Sequence, residues 1–404
     1  LTFTLVSCAA EEETATTPPA KSQEITQTKT EVQATQVKTE QKAEVIKLGA
    51  VFPLTGDGAT YGEPMQKVIK IALDEVNAAG GVKGKKLDFI WEDGKCNGND
   101  GAIAANKLIN VDKVQIIYGG FCSSETLAIA PIAEKAKVIV FSPGSSSPAI
   151  TTAGDYIFRN YPSDSSQGKI LAEAAKDKGF KKVAVLAEQN DYTQGILKVF
   201  QSRFKELGGE VVTQTYLPND SDFRTPLLKL KTSGATALFV DPQTPNKADL
   251  IFKQLEEMQW KVALMANDVV AGYQDLVTKY SKVVEGLLTA EFSYDKENPD
   301  FKKLVAKYKE QTGNDLPYGS YATTAYDGVY ILKEALEASG YDSAKIKTWL
   351  YALKNRKGLA GSLTFDANGD PISGHRLEII KDGKVVPYVA SAKPSEKVSP
   401  KKKK

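Results

Sequence analysis

Two short runs carry residue types suited to holding a small anion without a formal positive charge. They are Gly119-Gly120-Phe121-Cys122-Ser123-Ser124 and Ser142-Pro143-Gly144-Ser145-Ser146-Ser147-Pro148. Glycines let backbone N–H groups approach a ligand closely, and serine hydroxyls add further donors, so such loops can cradle a carboxylate. Each run follows a short apolar stretch, 114–118 or 138–141, that reads as a buried strand. Loops leaving neighbouring strand ends can converge on one spot, and the chemistry expected there is recognition of a small carboxylate. Ser123 and Ser146 could equally serve as ordinary helix caps, so both readings stand at this level.

The chain has three cysteines. Cys8 closes Leu5-Val6-Ser7-Cys8, which resembles a bacterial lipobox preceded by the end of a signal-peptide apolar region. Residues 1–8 are therefore expected to be the end of a lipoprotein signal peptide, with the reading frame starting further upstream. A chance cysteine in an apolar start is the alternative. In an exported chain Cys96 and Cys122 would be oxidised to each other. Closing a loop of about 25 residues is worth roughly 3 kcal/mol in the chain-entropy picture. Two free thiols in a reducing compartment are the other possibility.

The 404 residues are too many for one compact core and suit two lobes. Apolar content of 42% and a net charge of +2 fit a globular protein with no basic footprint for nucleic acid. Residues 9–44 contain neither Gly nor an aromatic residue and are rich in Thr, Glu, Gln, Lys and Ala. Such a stretch cannot bury enough surface to fold and reads as a tether spanning roughly 30–40 Å. Residues 390–404 form a polar tail ending in four lysines, either simply solvated or weakly drawn to anionic headgroups. Between these ends strand and helix patterns alternate. Strands are expected at 46–52, 87–91, 183–187, 211–216, 237–240 and 262–265. Helices are expected at 64–79, 102–110, 126–136 (kinked or restarted at Pro131), 169–178, 194–207, 223–231 and 247–258. The fold class is α/β, with two doubly wound parallel-sheet lobes. Ligands in such sheets bind beyond the carboxyl ends of strands, where the Ser-rich loops lie.

From 45 to 388 the chain resembles the type I periplasmic binding proteins of the leucine/isoleucine/valine-binding branch. The resemblance rests on the order and spacing of several motifs. They include Gly49-Ala50-Val51-Phe52-Pro53-Leu54-Thr55-Gly56, Tyr61-Gly62, the run from Glu75 to Lys85, and Glu92-Asp93-Gly94-Lys95-Cys96. Others are Cys122-Ser123-Ser124, Ser142-Pro143-Gly144, the run from Tyr321 to Asp327, and Phe365-Asp366-Ala367-Asn368-Gly369-Asp370. The resemblance implies a three-segment hinge joining lobe 1 (45–163 and 292–370) to lobe 2 (164–291 and 371–389). It also implies that Ser123 and Ser146 supply hydroxyl and backbone donors to a ligand α-carboxylate. The Gly144 carbonyl accepts from the α-ammonium, Asp268 pairs with that ammonium, and Tyr61, Tyr192 and Tyr321 wall the pocket. Each tyrosine could instead be core packing, and Asp268 a solvated loop acid. Two positions depart from the family pattern. Asp268 stands where relatives usually carry Glu, and Asp241-Pro242-Gln243-Thr244-Pro245 replaces an expected Gly-Gly-Tyr. Gln243 becomes a candidate reader of the ligand side chain, which weakens the expectation of a strictly aliphatic ligand.

The resulting expectation is an exported, lipid-anchored monomer in the cell envelope that faces the periplasm or the exterior. It captures an amino acid, branched-chain or other, by hinge closure and passes it to the permease and ATPase of an ABC importer. The alternative is an anchored sensor presenting an amino acid, carboxylate or amide to a receptor. Genomic neighbours would separate the two. An enzyme is not expected: the one histidine, His375, reads as a surface residue of a late strand and leaves no Ser–His or Cys–His pair. No cofactor or metal is expected, since one histidine and dispersed cysteines make no ligand cluster.

Overall fold

The structure, a computed structural model, describes residues 44–389. The expected lipidation site Cys8, the tether up to residue 43 and the 390–404 tail lie outside the described residues. The chain opens with β1 (Val45–Phe52), α1 (Ala59–Ala78), β2 (Lys86–Asp93), α2 (Gly98–Asn110) and β3 (Ile116–Gly119). It continues through α3 (Ser123–Ala136), β4 (Ile139–Ser142) and, after a 3-10 turn at Pro148–Thr152, β5 (Ile157–Arg159). These strands form a five-stranded, wholly parallel sheet in the order β2-β1-β3-β4-β5. β3 and β4 are buried along their whole length, which matches their near-continuous apolar sequence.

A second series follows: α4 (Asp164–Asp177), β6 (Lys182–Glu188), α5 (Asp191–Glu206), β7 (Glu210–Tyr216), α6 (Arg224–Lys231) and β8 (Ala237–Asp241). Next come α7 (Pro245–Glu257), β9 (Ala263–Ala266), the short α8 (Asp268–Ala271) and α9 (Gln274–Lys279), and β10 (Leu288–Phe292). The chain then returns to the first sheet's side. There α10 (Pro299–Thr312) and α11 (Gly319–Ser339) pack on α1, and α12 (Ser343–Ala352) packs on α11. A hairpin of β11 (Arg356–Gly358) and β12 (Gly361–Leu363) precedes the last crossing to β13 (His375–Lys381) and β14 (Lys384–Pro387). The second sheet has seven strands in the order β14-β13-β10-β9-β8-β6-β7. Its first five strands in sequence are parallel neighbours, whereas β13 runs antiparallel to both β10 and β14. The chain therefore passes between the two sheets' sides three times, at 160–163, 293–298 and 364–374.

Several helices, α1 to α5, start earlier than the sequence expectation, and two of these starts shape the site. α1 begins ahead of Pro64 and contains it. Gly62 makes that turn possible, because a Cβ there would lie 1.9 Å from the Pro53 carbonyl oxygen. α3 starts at Ser123 and runs unbroken through Pro131, anchored by the buried Ile129, Ala130 and Ala133. Ser123 and Ser124 are thus the first helical residues, where their N–H groups have no intrahelical carbonyl to bond.

The turn Asp366–Asp370 is tied to the end of β5 by a buried ion pair. Arg159 is fully buried; its Nε and Nη2 donate to the two Asp370 carboxylate oxygens at 2.6 and 2.7 Å, and Nη1 donates to the Ser147 carbonyl at 2.8 Å. Gly369 turns there with φ 79°, and a side chain would strike the Ile157 carbonyl. Arg159→Met leaves the Asp370 carboxylate without its cation, with the Thr151 hydroxyl still donating at 2.7 Å, so a loss of roughly 3–5 kcal/mol is expected, read as a lower urea midpoint. Arg159→Met with Asp370→Leu should recover most of it.

Candidate functional site

β3 and β4 pair in parallel register, Tyr118 opposite Phe141, so the Gly- and Ser-rich segments leave adjacent strand ends. Hydroxyl groups stitch them together. The Gly120 carbonyl accepts from Ser142 Oγ at 2.7 Å, Ser145 Oγ at 2.9 Å and Thr126 Oγ1 at 2.9 Å. Ser123 Oγ accepts from the N–H of Ser146 at 3.2 Å and of Ser147 at 3.0 Å. A hydroxyl has two lone pairs and one proton, so the proton of Ser123 is the one left to donate. The Ser146 N–H, expected to face a ligand, is instead committed to Ser123. Gly144 packs under Phe121; a Cβ would lie 2.6 Å from that ring.

Cys96 and Cys122 form a disulfide with Cα atoms 5.1 Å apart, joining the β2–α2 loop to the residue before α3. Between them sits Glu125, which sequence reasoning missed. Its two carboxylate oxygens accept from the N–H groups of Cys96 at 2.8 Å and Cys122 at 2.9 Å. Full burial pushes its carboxyl up to about 8, against those hydrogen bonds, which favour the charged form. Gly94 makes room, since a Cβ there would meet the Glu125 carboxylate at 2.3 Å. The Cys-x-x-Glu spacing, a capping-box pattern, was the available signal.

Opposite these loops lies Asp268, at the start of α8 and 2% exposed. It is not a solvated loop acid. Its carboxylate accepts from Tyr161 Oη at 2.8 Å, Tyr321 Oη at 3.0 Å, Gln167 Nε2 at 3.2 Å and Tyr192 Oη. Gln167 also donates to Asp164 at 3.0 Å and accepts from the Asp268 N–H. Burial first, then the Asp268 charge, holds the Tyr161, Tyr192 and Tyr321 phenols well above their usual range, so they stay protonated donors. The same two causes, in that order, raise Asp164. Tyr161, Gln167 and Asp164 carry no sequence motif that would have marked them.

Ser123, Gly144, Ser146, Tyr61, Tyr192, Tyr321 and Gln243 line one cavity, together with Phe121, Cys122 and Val269. Asp268 does not line it; Tyr192 and Tyr321 stand in between. At the remaining end Tyr61 Oη donates to the Gln243 carbonyl at 3.0 Å, and the Gln243 N–H donates to Glu188 at 2.9 Å. Asp241, beside them, is buried and accepts from Asn267 at 2.7 Å; burial raises its carboxyl well above the usual range. The motif that replaces Gly-Gly-Tyr thus brings Gln243 to the cavity, while its acid, Asp241, is buried behind the lining. Among the described residues no group of His, Cys, Asp or Glu is arranged to hold a metal ion.

His375 corrects the sequence reading: it is 7% exposed, not a surface residue. It opens β13 at the third crossing, where Nδ1 pairs with Ser166 Oγ at 2.6 Å and Nε2 lies 3.8 Å from Asp164. An exposed position was expected because only the pairing of β13 with β10 turns this residue inward.

A family model described as periplasmic binding protein matches residues 45–379. An amino acid binding protein of Pseudomonas aeruginosa is 28% identical over 330 residues, covering 80% of this chain and 87% of the relative. A leucine binding protein from Thermotoga maritima superposes with a TM-score of 0.76 at 30% identity, covering 85% of this chain and 98% of its own. The branched-chain amino acid transporter substrate binding protein of Streptococcus pneumoniae, in complex with isoleucine, gives a TM-score of 0.75 at 29% identity over 85% of this chain and 98% of its own.

Burial lowers the His375 imidazole from 6.5 to about 4. The unfolded chain then binds the proton more readily than the folded one, so the histidine's contribution is intact above pH 6.5 and is lost as pH falls towards 4. His375→Asn is expected to flatten the rise in stability between pH 4 and 6.5 by up to about 3 kcal/mol, measured by urea unfolding across that range.

Proposed function

Because this chain belongs to the periplasmic binding protein family, in its leucine/isoleucine/valine-binding branch, we propose that its solute is an amino acid held in this cavity by closure of two lobes. The observation that carries the reading is the polarity of that cavity. Neutral donors, the Ser123 hydroxyl and the buried start of α3, line it together with Tyr192 and Tyr321, whose phenols are backed by the buried Asp268 carboxylate. A zwitterion matches this arrangement, since a helix N-terminus favours the carboxylate and an anionic cluster favours the ammonium.

In this reading residues 45–163 and 292–370 act as lobe 1 and bind first, through Ser123, Gly144 and Ser146. Residues 164–291 and 371–389 act as lobe 2 and add Tyr192, Gln243 and the Asp268 cluster. Contacts to both lobes are what make a ligand favour the closed state. The closed monomer presents a surface to the permease of an ABC importer, with Cys8 as lipid anchor and 9–44 as tether. The relatives' named ligands, leucine and isoleucine, support an amino acid, while Gln243 in the lining favours a side chain with polar atoms.

Calorimetric titration against the twenty amino acids tests the reading, which fails if none gives saturable heat. Ser123→Ala removes a ligand donor and strands the N–H groups of Ser146 and Ser147, so affinity should fall roughly 10- to 100-fold. Reducing the Cys96–Cys122 disulfide should lower unfolding stability by roughly 3 kcal/mol and weaken binding, because α3 loses its tie. Equal affinity before and after reduction would detach the disulfide from the site.

A further inference from the structure

β8 and β9 are parallel neighbours with Val240 opposite Ala266, so Asp241 and Asn267 sit together at the strands' carboxyl ends. Both residues are fully buried. Asn267 Nδ2 donates to Asp241 Oδ1 at 2.7 Å and to the Pro242 carbonyl at 2.8 Å. A carbonyl can only accept, so the Pro242 bond fixes which end of the Asn267 amide is the nitrogen. Two buried acceptors, Asp241 Oδ2 and Asn267 Oδ1, then have no donor among the described residues. A carboxylate has no proton to give, whereas a carboxylic acid has one. One proton on Asp241 would give both atoms a partner, closing a ring of two hydrogen bonds between acid and amide. The surroundings favour that proton. Glu188 at the end of β6, Asp164 on α4 and Asp268 on α8 face Asp241 as acids, and Tyr192 and Tyr216 face it as phenols. The cation on α7, Lys247, is committed to the Asp220 carbonyl at 2.9 Å and lies 3.6 Å from Asp57. Burial first, then the charges of Asp164, Asp268 and Glu188, raise the Asp241 carboxyl, against the Asn267 bond, which favours the charged form.

We propose that Asp241 is a neutral carboxylic acid joined to Asn267 by a reciprocal pair of hydrogen bonds, and that this pair positions Gln243 in the cavity lining. The route is short. Asn267 holds the Pro242 carbonyl, and Gln243 follows, its N–H donating to Glu188 and its carbonyl accepting from Tyr61. Gln243 lines the cavity, whereas Asp241 does not touch it, so Asp241 is a positioning residue. A neutral acid ties this turn without adding a charge to the acids around it. The protonation stands apart from the amino-acid reading above; the role in binding rests on it.

The test compares Asp241→Asn with Asp241→Leu in the full chain. Asn is neutral and isosteric and can return both bonds to Asn267; Leu can return neither. The infrared difference between the unmodified protein and Asp241→Asn at neutral pH is expected to show a protonated-carboxyl C=O band that shifts in deuterium oxide. Asp241→Asn is expected to bind the amino acid selected by the titration within about twofold of the unmodified protein, and Asp241→Leu about tenfold more weakly. An acid kept protonated in the folded state holds a proton that the unfolded chain releases near about pH 4, so its contribution is lost as pH rises from there. The stability of Asp241→Asn relative to the unmodified protein, from urea unfolding, should therefore grow between about pH 4 and 8. Absence of the carboxyl band, or a stability difference that stays flat over that range, overturns the protonation. A gain in stability on adding sodium or potassium chloride, without the band, assigns the two acceptors to a bound cation instead. A loss of binding no greater for Leu than for Asn overturns the positioning role. Failure of every amino acid to bind the unmodified protein defeats the amino-acid reading and the positioning role with it, while the spectrum and the pH series still decide the protonation. Should Asp241→Leu not fold, Asp241→Ala takes its place.

Discussion

A charged carboxylate with no cation beside it is costly to bury, and the cleft is organised around solving that problem at Asp268. The one buried guanidinium nearby, Arg159, is committed to Asp370. The solution is four neutral donors, three phenols and an amide. Neutral donors leave the negative charge uncancelled, so the cluster keeps a field for a cation while its hydrogen bonding is complete. The donors come from separated parts of the chain: the first crossing (Tyr161), α4 (Gln167), α5 (Tyr192) and α11 (Tyr321). The carboxylate can be satisfied only when both sheets' sides are in place, so the acid is also a condition on their arrangement.

The facing loops solve the opposite problem, presenting donors without charge. Glycines bring the backbone close, and serines spend their hydroxyls on bracing: Ser142 and Ser145 on the Gly120 carbonyl, Ser123 on the N–H groups of Ser146 and Ser147. The disulfide and Glu125 then hold the start of α3, and the Arg159–Asp370 pair holds the Ser147 end of the second loop. A rigid donor set on one side and a hydrogen-bonded phenol cluster on the other leave little to reorganise on binding, so less affinity is lost to ordering. Tyr61 to the Gln243 carbonyl and Lys247 at 3.6 Å from Asp57 add single neutral or partly solvated contacts, weaker than the buried bonds of Tyr161 and Tyr321 to the Asp268 carboxylate.

Much was legible in the sequence because it is local. Alternating apolar runs and helical patterns forecast most of the strands and helices of both sheets, and a resemblance carried by spaced motifs marked Ser123, Gly144, Ser146, Tyr61, Tyr192, Tyr321 and Gln243, which share one cavity. The motif Phe365 to Asp370 also has a local reason, a tight turn whose glycine and final acid meet β5. Local rules failed where a neighbour overrode them. Pro131 did not break α3 because buried contacts on either side hold the helix, and three-residue β5 was too short to show a period.

Residue type and spacing thus determined by themselves the fold class, the strand ends on which the two loops sit and the kinds of donor those loops offer. Tertiary structure alone decided which partners the charged groups have. Tyr161, Gln167 and Tyr321 lie 53–107 residues from Asp268 in sequence, and no local pattern ties them together. His375 became a buried residue only because β13 turns back antiparallel against β10. Burial and hydrogen-bond completion are properties of the assembled cleft, and Asp268 acquires both only there.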